Sequence, residues 1–214
     1  MAIQITGQGQ GLPSIAQKSG PPASLNSGWM AELLVSQLLP RWAYLALNGA
    51  LFSVAATAVA TPAAGYPLGA AGTPLVAIYN PPGSGKNALI IKASLSVRAA
   101  GTVAAGTFGF SGGPTATITA AISAYLNLLS LQQAGSAMKP YANTALTGST
   151  ALVAIRPFMS AGAGVTQSQF ANIATEDVDG SLVVAPGNVI ALSAAVTGTA
   201  NTVDAALVWA ELPA

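Results

Sequence analysis

The sequence predicts an all-β protein, an antiparallel β-sandwich or jelly roll with an extended N-terminal arm and a short helix. Beyond residue 50, short runs alternate apolar and polar side chains with the period of two that a half-buried strand shows. Turns rich in Gly, Pro and Asn separate these runs, and no helical pattern lies between them. Such a series of strands is typical of an antiparallel sandwich or jelly roll.

The clearest strands lie near the C-terminal end, at residues 189–196 and 203–209. Pro186-Gly187 predicts the turn that precedes the first of them. The larger apolar side chains of each run fall on one parity: Ile190, Leu192 and Val196 in the first, and Val203, Leu207 and Trp209 in the second. We expect these two strands to form an antiparallel pair at the centre of the sandwich.

Six other runs predict strands, at residues 51–59, 74–79, 88–98, 102–110, 115–125 and 145–158. Residues 88–98 alternate most regularly, with Leu89, Ile91, Ala93, Leu95 and Val97 on one side. Asn80 to Asn87, with sequence NPPGSGKN, is interpreted as the turn of a hairpin between residues 74–79 and 88–98.

Two segments precede the predicted sandwich. Residues 1–27 are rich in Gly, Gln, Pro and Ser, cannot bury enough apolar surface to order alone, and are expected to form an arm that orders against a neighbouring subunit. Residues 28–49 predict a helical segment, kinked at Pro40, and residues 50–214 the β-sandwich domain. Apolar side chains at helical spacing predict an interface: Trp29, Met30, Leu34, Leu38 and Trp42.

Composition points to protein partners. Only 6% of the residues are charged and 52% are hydrophobic, whereas soluble domains average roughly 25% charged residues. Much of the surface is therefore expected to be covered by other protein. A membrane span over the uncharged residues 42–60 is disfavoured by Asn48-Gly49, Ser53 and an alanine-rich composition. Seven scattered basic residues and a net charge of +1 argue against nucleic acid as a partner.

The sequence offers little for catalysis. It contains no cysteine and no histidine, which excludes thiol nucleophiles, imidazole catalysis and the common zinc sites. We therefore expect no enzymatic activity, no catalytic residues, no metal, no cofactor and no small-molecule substrate. The N-terminus lacks the basic start and apolar core of a secretory signal, so synthesis in the cytoplasm is expected.

Two motifs resemble ligand-binding sequences, and each departs from the pattern that binding requires. The NPPGSGKN stretch resembles a phosphate-binding loop, but Asn80 replaces the first glycine, Asn87 replaces the magnesium-binding Ser or Thr, and a strand pattern follows. Glu176, Asp177 and Asp179 form an acidic cluster without the full calcium-loop pattern, and we interpret it as an exposed loop between strands.

Five stretches carry a resemblance to a known family: ELLVSQLLPRW (residues 32–42), NGALFS (48–53), LVAIYNPPGSGKNALII (75–91), VAPGNVIAL (184–192) and VWAELP (208–213). In these stretches the chain resembles structural proteins of tailed bacteriophages. The resemblance implies a jelly-roll or sandwich module on the outside of a virion, often trimeric, that acts as a capsid decoration (cement) protein or as part of the tail.

The expected function is therefore that of a homotrimeric virion protein that binds the major capsid protein or other virion proteins and stabilises the head. A tail, neck or fibre-base protein is the alternative within the same class. An alternative of another class is a receptor-binding or carbohydrate-binding β module, which would need a concave aromatic or acidic site.

Overall fold

The computed structural model describes residues 42–60, 65–99, 103–115, 117–161, 173–198 and 202–214. The predicted arm and most of the predicted helical segment lie outside these residues. The compact unit that begins at Gly49 contains the sandwich, and residues 42–48 belong to a separate unit. There, helix α1 spans Ala43–Leu47, and the side-chain amide of Asn48 donates to the Tyr44 carbonyl oxygen at 2.8 Å just beyond its end.

The described strands form two antiparallel five-stranded sheets, which confirms the predicted β-sandwich. Sheet 1 has the order β5-β1-β10-β3-β8, and sheet 2 has the order β6-β2-β9-β4-β7. The strands are β1 Leu51–Ala60, β2 Val76–Asn80, β3 Lys86–Ala99, β4 Val103–Pro114, β5 Leu126–Asn127, β6 Lys139–Ala142, β7 Val153–Ala161, β8 Ile173–Val184, β9 Asn188–Gly198 and β10 Thr202–Pro213.

The strand pairing is nested in the manner of a jelly roll. β1 pairs with β10, β2 with β9, β3 with β8, and β4 with β7. The chain thus folds back on itself as one long wrapped hairpin, whose strands alternate between the two sheets. The short strands β5 and β6 lie in the connection between β4 and β7, and they extend the sheets beside β1 and β2.

The last two strands are central, but they are not partners. β9 lies between β2 and β4 in sheet 2, whereas β10 lies between β1 and β3 in sheet 1. The predicted antiparallel pair is therefore wrong, although each strand was correctly located. Alternation identifies the buried face of a strand and carries no information about the neighbour with which the strand pairs.

The main core lies between the two sheets and is centred on aromatic side chains. Trp209 of β10 is fully buried and stacks on Phe52 of β1, with 5.6 Å between ring centroids. Tyr125 meets both rings from the segment before β5. Apolar side chains from most of the long strands complete this core, among them Val54, Ile78, Ile90, Phe110, Leu192 and Leu207.

A second core covers the outer face of sheet 2. Tyr79, Ala77, Val189 and Ala191 of β2 and β9 pack there beneath Leu68, Ile118, Leu146 and Leu152. Irregular segments, residues 65–75, 117–125 and 143–152, supply this cover. The strand predicted at residues 115–125 is therefore wrong, and β7 begins at Val153 instead of residue 145. The alternating pattern at 115–125 reflects side chains, such as Ile118, that a covering loop buries.

A β-bulge changes the inward face of β3. Trp209 pairs with Ile90 and Val208 pairs with Lys92, which leaves Ile91 as an extra residue. Ala88 and Ile90 are buried in the main core before this point, and Ala93 and Leu95 are buried there after it. The single parity predicted for residues 88–98 therefore holds only beyond the bulge, because an extra residue reverses the alternation.

Replacing Leu207 by Ala tests the core assignment of β10. Leu207 is fully buried between the sheets, so L207A should lower the free energy of unfolding by about 2–5 kcal/mol. The neighbouring Val208 points away from the core and is half-buried, so V208A should cost less than about 1 kcal/mol. Urea denaturation of both variants measures the difference, and equal losses would contradict the assignment.

Candidate functional site

The glycine-rich stretch between β2 and β3 forms a corner between the two sheets. Because β2 lies in sheet 2 and β3 in sheet 1, the predicted hairpin is wrong. The buried side-chain amide of Asn80 donates to the carbonyl oxygens of Lys86 at 2.7 Å and Val184 at 2.8 Å. The Ser84 hydroxyl donates to Asn80 Oδ1 at 2.5 Å. The polar groups of the stretch thus stabilise the corner itself, and a structural role explains them.

The acidic cluster lies in β8, so its interpretation as a loop is wrong. Strand β8 is an edge of sheet 1, and Glu176 forms an ion pair there with Arg156 of β7, the edge of sheet 2. Lys92 Nζ lies 3.6 Å from Asp177 Oδ1 on the exposed face of sheet 1. Among the described residues, no group of three or more acidic, histidine or cysteine side chains could hold a metal ion.

Glu211 of β10 is a buried carboxylate surrounded by donors. Its Oε1 accepts hydrogen bonds from the Ser136 hydroxyl at 2.5 Å and the Trp209 indole at 3.3 Å. Its Oε2 accepts from the Ala137 backbone N–H at 3.0 Å and from Lys86 Nζ at 3.1 Å. These contacts join β10, β3 and the segment before β6. Sequence reasoning missed this role because the donors lie 75 and 125 residues away in Ser136 and Lys86.

Two tyrosines lie in the second core, and burial raises the pKa of each phenol. For Tyr141, burial and the neighbouring Tyr79 raise the pKa to about 12. The Tyr141 hydroxyl is buried without a hydrogen-bond partner in the part of the chain that the structure describes. Such a phenol stays protonated near neutral pH and is a poor base. We assign Tyr141 to packing.

The predicted interface residues are placed only in part. Trp29, Met30, Leu34 and Leu38 lie outside the described residues, so their role stays a prediction. Trp42 is half-buried at the start of α1. The third tryptophan, Trp209, belongs to the core of the sandwich.

The outer face of sheet 1 carries small side chains. A shallow depression of about 270 Å³ lies over β1, β10 and β3, with Asp204 at its lining. The other outward-facing residues there are Ala55, Thr57, Ser94, Ser96 and Ala206. Asp204 of β10 is paired with Ser96 of β3 on this face, and the other outward-facing side chains of the lining are small.

Six of the nine large apolar side chains that are exposed among the described residues lie in two groups, and the other three are Tyr44, Leu47 and Ile122. The first, here called the leucine turn, consists of Leu126, Leu129 and Leu131, in and after β5. The second, here called the edge patch, consists of Val153 and Ile155 of β7 and Val183 of β8. Sequence reasoning missed both groups. For the leucine turn the sequence does contain a signal, since residues 99–138, which include it, carry no charged residue. Exposed apolar groups of this kind mark interaction surfaces.

No helix in the described part of the chain is long and apolar enough to cross a membrane. Comparison of the chain with protein families, with curated proteins and with solved structures gives no match. The two exposed apolar groups are therefore the candidate functional site on structural grounds alone.

Replacing Glu211 by Gln should destabilise the sandwich. A side-chain amide presents a donor where both Ala137 N–H and Lys86 now donate, so E211Q should lower the free energy of unfolding by about 1–3 kcal/mol. The control, D177N, removes an exposed ion pair and should cost less than about 1 kcal/mol. Urea denaturation measures the free energy of unfolding of both variants. A free energy for E211Q equal to that of the wild type would contradict the structural role of the carboxylate.

Tyr141 should make stability fall in alkali. Its folded-state pKa of about 12 exceeds the ordinary phenol pKa of 10.0, so the unfolded chain loses the phenolic proton first. Stability is therefore fully present below pH 10 and is lost as the pH rises toward 12. Over this pH range, the melting temperature of Y141F should fall less than that of the wild type. Y44F, which alters an exposed tyrosine, should show the same fall as the wild type. Identical profiles for Y141F and wild type would contradict this account.

Proposed function

We propose that this chain is a non-enzymatic structural protein of a bacteriophage virion, a capsid decoration (cement) protein that binds the major capsid protein and copies of itself. The observation that carries the proposal is a rigid jelly roll with exposed apolar groups and very few charges. The resemblance of its sequence to structural proteins of tailed phages is the reason for proposing a virion as the assembly that contains it.

The physical chemistry of such an interface agrees with the composition. Association through neutral surfaces is driven by burial of apolar area and needs no ion pairs. A specific interface buries roughly 1,600 Å² in total. Repeated attachment to a lattice multiplies contacts that are individually weak, so a chain with 6% charged residues can still bind a capsid firmly.

Three of the five described acidic side chains are engaged by basic or polar groups of the fold, which favours a binding role over a catalytic one. Glu211 is occupied by four donors within its own fold. Glu176 is paired with Arg156, and Asp177 lies beside Lys92. A general acid or base must instead reach a substrate. We therefore give these three carboxylates a structural role.

The alternatives use the same surfaces differently. A tail, neck or fibre-base protein would present the same neutral sandwich to other virion partners. A carbohydrate-binding module would need exposed aromatic rings for stacking on sugars, whereas no described aromatic side chain of the sandwich is exposed and Tyr44, which is exposed, belongs to the other unit. This burial favours the virion proposal over the carbohydrate one.

The first test is co-sedimentation of the purified chain with empty heads of the phage that encodes it, prepared without the protein. We expect saturable binding that persists in high salt, because the contacts are neutral. Deletion of residues 1–27 should abolish binding and leave the circular dichroism of the sandwich unchanged.

Two results would contradict the proposal. Absence of binding to heads, together with binding to tails, would move the chain to the tail alternative. Binding to saccharides on a glycan array, without binding to any virion part, would support the carbohydrate module instead.

A further inference from the structure

We infer that copies of this chain associate head to tail, with the leucine turn of one copy packed against the edge patch of the next. This inference goes beyond the proposed function, because it names the contact between copies and does not require a capsid.

The leucine turn is held rigidly. The side-chain carbonyl of Asn127 accepts hydrogen bonds from the backbone N–H groups of Leu129 at 2.9 Å and Ser130 at 3.3 Å. Its side-chain amide donates to the Gly49 carbonyl oxygen at 2.8 Å. The backbone N–H of Leu131 donates to the Asn127 carbonyl oxygen at 2.8 Å. A preorganised turn loses little conformational entropy when it binds.

Leu131 is unfavourable for the stability of an isolated copy. Its φ of 55° lies in the left-handed region, which costs a residue with a Cβ roughly 1–2 kcal/mol. Its side chain is 68% exposed and gains little from burial. Glycine would suit this backbone better. A strained and exposed leucine points to a contact outside the copy, because nothing within the described part of the copy compensates for the strain.

The edge patch offers a matching recess. The ion pair between Arg156 and Glu176 links the β7 edge to the β8 edge. A cleft of about 130 Å³ lies on this side, lined by Gly112, Ile155, Leu182 and Val183 among others. A cavity of about 150 Å³ lined by apolar side chains accepts benzene, which has six carbons. A leucine side chain has four carbons, so the cleft is large enough for one.

The two groups lie at opposite edges of the sandwich. Strand β5 ends sheet 1 on one side, while β8 ends sheet 1 and β7 ends sheet 2 on the other. Within the described residues, the leucine turn and the edge patch of one copy therefore lie too far apart to contact each other, and each copy has one of each. Contacts between unlike patches are heterologous, and they close into a ring when the rotation allows it.

A second copy fits this surface better than a charged partner does. The leucine turn lies in a stretch of 40 residues, 99–138, without a charged residue, so it has no group to pair with an ionic surface. The edge patch is likewise formed by apolar side chains, and its charged neighbours Arg156 and Glu176 are already paired. The same chain thus supplies a neutral partner of matching size.

The experiment measures the mass of the full chain by light scattering, without capsids, for the wild type and three variants. L131G removes the side chain and relieves the backbone, so the melting temperature should not fall. L129S removes a second leucine from the turn, and V183K places a charge on the edge patch, where edge strands tolerate lysine. Each variant should weaken self-association at least about tenfold. A71G, which relieves a left-handed residue (φ 50°) outside both groups, should keep the wild-type mass.

Mixing provides the decisive result. L131G retains an intact edge patch and V183K retains an intact leucine turn, so their mixture should form a dimer, although each variant alone is monomeric. The inference would be overturned if L131G and L129S had the same mass in solution as the wild type. It would equally be overturned if the mixture of L131G and V183K stayed monomeric. It would also be overturned by a monomeric wild type that binds phosphatidylcholine vesicles through Leu131. A monomeric chain that still binds capsids would contradict only this inference, and an oligomer that ignores capsids only the proposed function.

Discussion

The two middle strands, β9 and β10, provide the packing on which the rest of the molecule depends. β10 contributes Trp209 and Leu207 to the space between the sheets, and β9 faces them with Ile190 and Leu192. β9 is also covered on its other side by the second core. Because both strands pair on both edges, the loss of either would divide its own sheet into two pieces. The Glu211 cluster adds a polar anchor at the end of β10.

Much of the fold could be predicted because the strands at the main core alternate regularly. β1, β9 and β10 begin and end within a few residues of the predicted bounds. The errors arose where an effect distant in sequence outweighs the local pattern. The bulge at Ile91 is defined by pairing with β10 and β8. The acidic residues of β8 are tolerated in a strand because Arg156 and Lys92 lie opposite, on β7 and β3.

The candidate site was less predictable for a physical reason. A run such as Leu126 to Leu131, with four leucines, is typical of a core segment. Its exposure results from Asn127, which binds Gly49, 78 residues away, and turns the chain outward. The sequence pattern instead favoured the helical segment with Trp29 to Trp42, where apolar spacing is regular. Periodicity identifies faces that can be buried, and only the folded chain distinguishes faces that are covered from faces that are left open.

The pairing of β1 with β10 also has a consequence for biosynthesis. The first long strand of the sandwich finds its main partner in the last one, where Glu211 N–H donates to the Ala50 carbonyl oxygen. Sheet 1 therefore cannot be completed until β10 has left the ribosome. Contacts of such long sequence separation form slowly. During that interval β1 and β3 expose unpaired edges in a chain with little charge to prevent aggregation. Rapid expression would then favour insoluble protein, whereas slow synthesis would favour the folded sandwich.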